Sequence, residues 1–258
     1  MNILVCVKQV PDTQKVKIDP ERNTLIRKGV PSITNPLDES AIELALEVRS
    51  MTGGKITVLT MGIPDSEEIL RDGLSLGADS AYLLTHRDFA GADTLATSYT
   101  LSMAIKELGG FDLLLFGKQA IDGDTAQVGP EVAGHLGIPV VTFVTNVQKT
   151  AKDIIVVERM IENGKEIVEA EYPVLLTVVK AAQRLRIPTL EGMIKSFDIP
   201  VHRLGVQDIG ADSSRCGLKG SPTRVKKVFS PKLDSKVKFI EGSIDEKAKK
   251  FISIVRGI

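Results

Sequence analysis

The residues with the clearest chemical potential form a loop that begins at Gly117, directly after the apolar run from Leu113 to Phe116. Glycine lets a loop backbone approach a ligand closely, and the free N–H groups at a helix start attract phosphate. An ordinary strand–turn–helix connection needs only one glycine, whereas this segment is a long run of small or hydrogen-bonding residues. We therefore predict a nucleotide-binding loop, with a helix opening near its end. Its members are Gly117, Lys118, Gln119, Ala120, Ile121, Asp122, Gly123, Asp124, Thr125, Ala126, Gln127 and Val128.

Three other places are predicted to share the edge on which this loop lies. Each of them ends an apolar run or opens a helix. Because the carboxyl ends of parallel strands meet at one edge of a sheet, and ligands bind beyond that edge, these residues are expected beside the loop. The predicted cofactor-binding residues outside the loop are Cys6, Asn35, Pro36, Leu37, Asp38 and Met61. Asp122 and Asp124 lack further nearby ligands for a metal, so orienting a ribose or capping the helix is the favoured role.

Apolar runs alternate with amphipathic segments over the first 150 residues. This alternation predicts an α/β fold with a parallel sheet and right-handed crossovers. A small hairpin excursion is expected from Val10 to Lys28, and Asp38 is expected to cap the first helix. The predicted strands cover 3–7, 55–61, 81–84, 113–116 and 140–146, and the predicted helices cover 39–51, 66–76 and 94–108.

The pattern of apolar and polar residues changes beyond residue 150. An Asn163-Gly164 turn between apolar runs predicts a β-hairpin over 154–171, and Val174 to Val179 reads as another strand. The chain from Lys180 onward is predicted to be loop-rich, with an amphipathic helix over 244–255. We predict a nucleotide-binding domain at 1–200 and a C-terminal arm at 201–258. The pattern alone leaves open whether the arm packs on another subunit or on its own domain.

Composition excludes several classes of function. The 258 residues carry 33 basic and 33 acidic side chains, so bulk charge gives no indication of nucleic-acid binding. The two cysteines are far apart and form no metal-like cluster, so we expect no metal, no disulfide framework and a reducing environment. No apolar run reaches the ~20 residues of a membrane span, and no targeting segment is recognised, so a cytoplasmic protein without membrane insertion is expected. We find no self-contained catalytic motif.

The motifs of this chain resemble those of electron transfer flavoprotein β subunits from end to end. The resemblance rests on VKQVPD at 7–12, LSLGAD at 74–79 and, above all, GKQAID at 117–122. It implies a Rossmann-like fold of the adenine-nucleotide α-hydrolase type. It also implies a partner α subunit that carries an FAD, and a β site that holds AMP in ordinary members or a second FAD in electron-bifurcating members. The nucleotide contacts would fall on the residues predicted above.

The small side chains of GDTAQVGP at 123–130 resemble those of the bifurcating group, whereas non-bifurcating members carry a bulkier, more acidic loop. The resemblance therefore implies a β-bound FAD that takes hydride from NADH. One electron would pass through the α-subunit flavin to an acyl-CoA dehydrogenase or enoyl-CoA reductase, and the other to ferredoxin or flavodoxin. The flavin would perform the redox chemistry, so no catalytic side chain is predicted. The alternatives are a plain electron carrier with structural AMP and a universal-stress-like ATP-binding protein.

Leu190 matches the leucine that family members insert into a hydrophobic pocket of acyl-CoA dehydrogenases. The resemblance implies that Leu190 and Lys195 bind the partner, on what the sequence predicts to be a loop. Arg184, Arg186 and Lys195 are candidates for steering an acidic partner surface, and solvated charge is the simpler interpretation.

Overall fold

The computed structural model describes residues 1–12, 31–179, 185–224, 226 and 239–257, together with the backbone of 17–18 and 25–26. The strands are β1 Asn2–Cys6, β2 Gln9–Pro11, β3 Lys17–Ile18, β4 Leu25–Ile26, β5 Ser32–Thr34, β6 Lys55–Met61, β7 Ser80–Leu84, β8 Leu113–Gly117, β9 Val140–Thr150, β10 Ile154–Ile161, β11 Gly164–Glu171, β12 Val174–Val178 and β13 Val201–Leu204. The helices are α1 Pro36–Thr52, α2 Glu67–Leu76, α3 Thr94–Leu108, α4 Val128–Leu136, α5 Leu190–Asp198, α6 Gly217–Gly220 and α7 Ile244–Arg256.

The main sheet has the strand order β11-β10-β9-β12-β8-β1-β6-β7-β13. The strands from β9 to β13 in this order pair in parallel, and β10 and β11 add antiparallel pairs at one edge. The chain leaves β1 toward β6 and β7, and returns to the other side of β1 as β8. The strand order therefore reverses between β1 and β8, the kind of position at which ligands bind in open α/β sheets. This arrangement confirms the predicted parallel-sheet α/β class.

The central strands are buried on both faces, as their continuous apolar sequences predict. In β1, Ile3 and Val5 join the core beneath α1 and α2, whereas Leu4 and Cys6 join the core beneath α3 and α4. Alternate residues of one strand thus fill two separate cores, since successive side chains point to opposite faces. This double burial fixes the strand ends, from which the candidate site is built.

Two helix starts differ from the sequence predictions. The α1 helix begins at Pro36, with Asn35 at the N-cap position, so the predicted cap at Asp38 is wrong: Asp38 lies within the first turn. Proline is suited to the first turn of a helix because it lacks the N–H that would have no partner there. The α4 helix begins at Val128, two residues beyond the predicted opening at Ala126.

The region after residue 180 holds more regular structure than its prolines predict. The α5 helix was assigned to a loop, and β13 pairs in parallel with β7 at the edge of the sheet. The β13 strand has a mostly exposed sequence with no apolar run, which explains why pattern analysis misses it. One compact unit therefore extends from Met1 to Arg224, beyond the predicted boundary at residue 200, and a second unit, Val225 to Ile258, contains α7.

Part of the predicted excursion from Val10 to Lys28 is described. The β3 and β4 strands form an antiparallel pair, and the rest of residues 13–30 lies outside the described residues. The hairpin around Asn163-Gly164 is present as β10 and β11. Within the described ranges, none of the helices has both the length and the apolar character needed to cross a bilayer.

Candidate functional site

The predicted site residues meet at the carboxyl edge of the parallel strands, next to the point where the strand order reverses. Cys6 ends β1 and lies opposite Phe116 of β8 on one side and Leu59 of β6 on the other. The loop after Gly117 and the start of α1 lie beside it, and Met61 ends the neighbouring strand β6. The structure thus brings these segments to one edge, while their contact with a cofactor remains a prediction.

The Asp38 carboxylate connects the ends of the two central strands. It accepts hydrogen bonds from the backbone N–H of Lys8 at 2.7 Å and from the backbone N–H of Gly117 at 3.0 Å. Only 6% of Asp38 is exposed, and burial raises its pKa to about 7 although its hydrogen bonds and the nearby Lys8 act in the opposite direction. Both oxygens are engaged with backbone, so Asp38 positions the loop through its side chain.

Gly117 is required by this close approach. A Cβ atom at residue 117 would lie 2.2 Å from the Asp38 Oδ1 atom and 2.9 Å from the backbone of α1. Its neighbour Cys6 is buried, and burial, followed by the charge of Asp38, raises the pKa of the thiol. The Cys6 side chain is therefore a neutral packing group at this edge.

Asn35 holds the following residues of the loop in place. Its Nδ2 group donates to the Gln119 carbonyl at 2.9 Å, and its Oδ1 atom accepts from the Ile121 N–H at 3.2 Å. Asn35 is fully buried and also donates its own backbone N–H to the Lys8 carbonyl at 2.9 Å. The Asn35 side chain thus serves as the hydrogen-bond partner of two backbone groups of the loop. The sequence pattern does not reveal this role.

The loop backbone adopts an unusual conformation at two positions. Asp124 and Ala126 have φ angles of 51° and 54°, in the left-handed region that glycine normally occupies. Such residues are strained and persist where the surroundings hold them, often at ligand sites. Here the Ala120 carbonyl accepts from the Asp124 N–H at 2.9 Å, and Gln119 donates to the Asp124 carboxylate at 2.6 Å.

The two acidic residues of the loop do not cap a helix. Asp122 forms an ion pair with the Lys8 ammonium at 2.6 Å, and Asp124 bonds to Gln119. The α4 helix has Gln127 at its N-cap position and no side-chain cap, so the predicted capping role is wrong. The first N–H groups of α4 therefore keep their capacity to donate to an anion.

Further features fit this edge for a nucleotide. A Cβ atom at Gly123 would meet nothing within 4 Å, so space is open beside the loop. On the neighbouring wall, Thr94 donates to one carboxylate oxygen of Glu131 at 3.1 Å, while the buried Oε2 atom of Glu131 has no hydrogen-bond partner in the described part of the chain. The uncapped N–H groups suit the anionic group of a ligand, and the unpaired carboxylate oxygen suits a hydrogen-bond donor of that ligand, such as a hydroxyl group.

A cavity of about 670 Å³ lies elsewhere, at the amino ends of the strands, among Met51, Phe111 and Tyr172. It includes none of the predicted site residues. Ligands of open α/β sheets bind at the carboxyl ends of strands, so this cavity is a poor candidate for the nucleotide site despite its size.

The predicted partner-binding residues lie on a helix and not on a loop. Leu190 is the first residue of α5 and is 71% exposed; Met193, Ile194 and Phe197 extend the same exposed apolar face. Their i, i+3, i+4, i+7 spacing in the sequence is a signal from which this helical face could have been predicted. Lys195 pairs with Glu191 at 2.6 Å.

The charges expected to steer a partner are partly neutralised. Arg186 forms an ion pair with Glu43 at 2.7 Å, and Arg184 lies outside the described residues. Because Arg186 has an internal carboxylate partner, as Lys195 has, neither side chain is a free positive charge, in contrast to the proposed role in steering an acidic surface.

Comparison with known proteins identifies the family. A family model described as an electron transfer flavoprotein domain matches residues 22–200. The electron transfer flavoprotein subunit beta of Megasphaera elsdenii is 48% identical over 238 residues, which cover 90% of this chain and 88% of that protein. The caffeyl-CoA reductase–Etf complex subunit CarD of Acetobacterium woodii is 46% identical over 255 residues, which cover 98% of this chain and 97% of that protein. The electron transfer flavoprotein subunit beta of Clostridium acetobutylicum is 47% identical over 253 residues, which cover 98% of this chain and 97% of that protein. The chain belongs to the electron transfer flavoprotein family, among relatives of its beta subunits.

Proposed function

We propose that this chain is the β subunit of a heterodimeric electron transfer flavoprotein and that it binds FAD at the carboxyl edge of its sheet. In this proposal the complex accepts hydride from NADH and bifurcates the electrons between an acyl-CoA dehydrogenase or enoyl-CoA reductase and ferredoxin or flavodoxin. The name of the Acetobacterium woodii relative, a subunit of a caffeyl-CoA reductase–Etf complex, supports the choice of partner class. The family match replaces the universal-stress-like alternative.

The observation that carries the choice of FAD over AMP is the open space at Gly123. No atom lies within 4 Å of a Cβ built at this residue, and the loop places no bulky side chain there. The unobstructed position of Gly123 supports a dinucleotide that extends past the loop, where a larger acidic side chain would obstruct it. A bound FAD would supply hydride acceptance from NADH and the release of electrons one at a time.

The chain's own residues would bind and orient this group. Asn35 and Asp38 fix the loop backbone, and the first N–H groups of α4 face the same edge as hydrogen-bond donors. Cys6 closes the base of the site as a neutral, buried thiol. We assign no proton transfer to a side chain, since the described side chains at this edge serve to position the backbone and to exclude water.

A substitution at Gly123 tests this proposal. In the purified αβ complex, Gly123→Glu is expected to lower the FAD content from two per heterodimer toward one, because the new side chain fills the space beyond the loop. The matched control is Gly134→Glu on the exposed side of α4, where a Cβ also meets nothing within 4 Å. Equal FAD content in both variants and the unmodified complex would contradict the steric argument.

We also propose that the exposed apolar face of α5 docks on the electron-accepting dehydrogenase. Leu190 and Phe197 are 71% and 75% exposed, and contiguous apolar surface of this kind marks interaction sites. Aliphatic and aromatic side chains at the centre of such a patch supply most of the binding energy in protein interfaces. Leu190 is the proposed anchor, and Lys195 contributes at the rim through its pair with Glu191.

In the second unit, α7 has an apolar face that is exposed among the described residues, and we propose that this face packs on the α subunit. Its start is fixed by a capping box between Ser243 and Glu246. Phe251, Ile254 and Val255 are exposed on this helix. A helix with one apolar face gains most of its stability by burying that face against a partner.

A further inference from the structure

Phe143, in β9, holds a backbone conformation that is costly for a bulky side chain. Its φ angle is 61°, in the left-handed region. The pairing of β9 with β12 shifts register between Leu176 and Val178, next to this residue, and the Phe143 N–H donates to the Thr177 hydroxyl at 3.2 Å. Bulges of this kind re-aim a side chain beside active sites, and strained residues concentrate at ligand sites.

The re-aimed ring supports the side chain of Lys118, the first residue after β8. The Lys118 Nζ atom lies 5.1 Å from the centroid of the Phe143 ring, within the range of a cation–π interaction. The Lys118 backbone N–H donates to the Val178 carbonyl at 2.7 Å, which ties the start of the loop to β12. Strand β12 thus holds both partners of the cation–π pair at the carboxyl edge of the sheet.

Lys118 differs from Lys8, which also lies at this edge, in having no carboxylate partner among the described residues. The Lys8 ammonium is paired with Asp122 at 2.6 Å, whereas Lys118 forms no ion pair with any carboxylate in the described part of the chain. An aromatic ring orients an ammonium without cancelling its charge, which a carboxylate would do. The arrangement therefore presents, at the predicted nucleotide edge, a positive charge that is held in place and that no carboxylate of the described residues compensates.

We propose that Phe143 is a positioning residue that holds the Lys118 ammonium for binding the pyrophosphate of the bound nucleotide. This inference rests on the proposed nucleotide site and adds a residue that the sequence did not single out. A positive charge held in place attracts a diphosphate more strongly than one on a freely rotating side chain, because less conformational entropy is lost on binding. The uncharged adenosine part of the ligand gains nothing from Lys118.

The test compares ADP with adenosine as probes of the αβ complex, dialysed free of β-site nucleotide and titrated by calorimetry. Loss of a cation–π pair of ordinary strength predicts that Phe143→Ala weakens ADP binding by roughly five- to twenty-fold, and Lys118→Met, which removes the charge itself, is expected to weaken it at least as much. Adenosine affinity is expected to stay within about two-fold. Because the two residues act as one unit, the double variant is expected to bind ADP no more weakly than Lys118→Met alone.

Two further variants separate positioning from folding. Phe143→Tyr keeps the ring and is expected to retain ADP affinity. Phe143→Asn and Phe143→Ala both remove the ring and are expected to lose the same affinity, although Asn tolerates the left-handed backbone better and melts at a higher temperature. Equal losses for ADP and adenosine, or additive losses in the double variant, would overturn the inference. An unmodified complex that binds neither probe would instead refute the proposed nucleotide site.

Discussion

Substitution of Gly117 by alanine is expected to destabilise the chain more than any ordinary glycine-to-alanine change. The new Cβ atom would lie 2.2 Å from the Asp38 Oδ1 atom and 2.9 Å from both the Asp38 nitrogen and the Leu37 carbonyl carbon. The backbone of α1 cannot move aside easily, so the Asp38 Oδ1 atom must give up its hydrogen bond to the N–H group of Gly117. Hydrogen bonds to a charged group contribute about 1.5–3 kcal/mol each, and overpacking adds about 1–3 kcal/mol.

We therefore expect Gly117→Ala to lower the free energy of unfolding by about 2.5–6 kcal/mol, the sum of one lost bond and the steric cost. The control is Gly123→Ala in the same loop, where the Cβ meets open space and the φ angle lies outside the left-handed region. This control is expected to change stability by less than about 1 kcal/mol. Urea unfolding of the purified chain, followed by far-UV circular dichroism, measures both values. Equal stability of the two variants would refute the close-approach argument.

Three further predictions concern charge and surfaces. The pKa of Asp38 is raised from 3.8 to about 7 in the folded chain, so the protonated side chain stabilises the fold below pH 4, and this contribution is lost as the pH rises to 7. Asp38→Asn is expected to reduce this fall in the urea-unfolding midpoint between pH 4 and pH 7. A pH profile equal to that of the unmodified chain would contradict the assignment. Leu190→Ala is expected to slow electron transfer to the dehydrogenase about ten-fold or more at unchanged flavin content, because it removes the proposed anchor. The control Ile167→Ala changes an exposed apolar residue of β11, at the opposite edge of the sheet from β13, and is expected to leave the rate unchanged; equal rates for the two variants would exclude α5 as the docking face. Phe251→Asp is expected to reduce co-purification of the α subunit, because it places a charge on the apolar face of α7. Lys249→Asp adds an acidic side chain to the same helix and is the control; equal loss of the α subunit in both variants would argue against an apolar contact.

The parallel strands were predictable because each is a short apolar run that ends at a turn. The β6 strand matches its predicted range of 55–61, and β8 differs by one residue at Gly117. A strand that is buried on both faces is a continuous apolar run, which can be recognised from its own few residues. The convergence of the loop, Cys6 and Asn35 at one edge followed from the rule that parallel strands share their carboxyl ends.

The contacts that shape the site were not predictable from local pattern. Asn35 and Gln119 are 84 positions apart, and the Asp38–Gly117 bond spans 79 positions, so their pairing depends on the folded sheet. Phe143 was read only as a strand residue, because a register shift between two strands leaves no mark in the sequence of either. The edge strand β13 was missed for a related reason, since its mostly exposed sequence carries a weak apolar signal. The helix α5 was missed although its apolar residues follow a helical spacing, because the prolines around it favoured a loop.

The central claim is that the carboxyl edge of this chain holds a dinucleotide flavin, and the nucleotide content of the αβ complex tests it most directly. The complex is purified, denatured, and its released nucleotides are separated and quantified by absorbance. The proposal predicts two FAD and no AMP per heterodimer. One FAD with one AMP would contradict it and would leave the chain as the β subunit of a plain electron carrier.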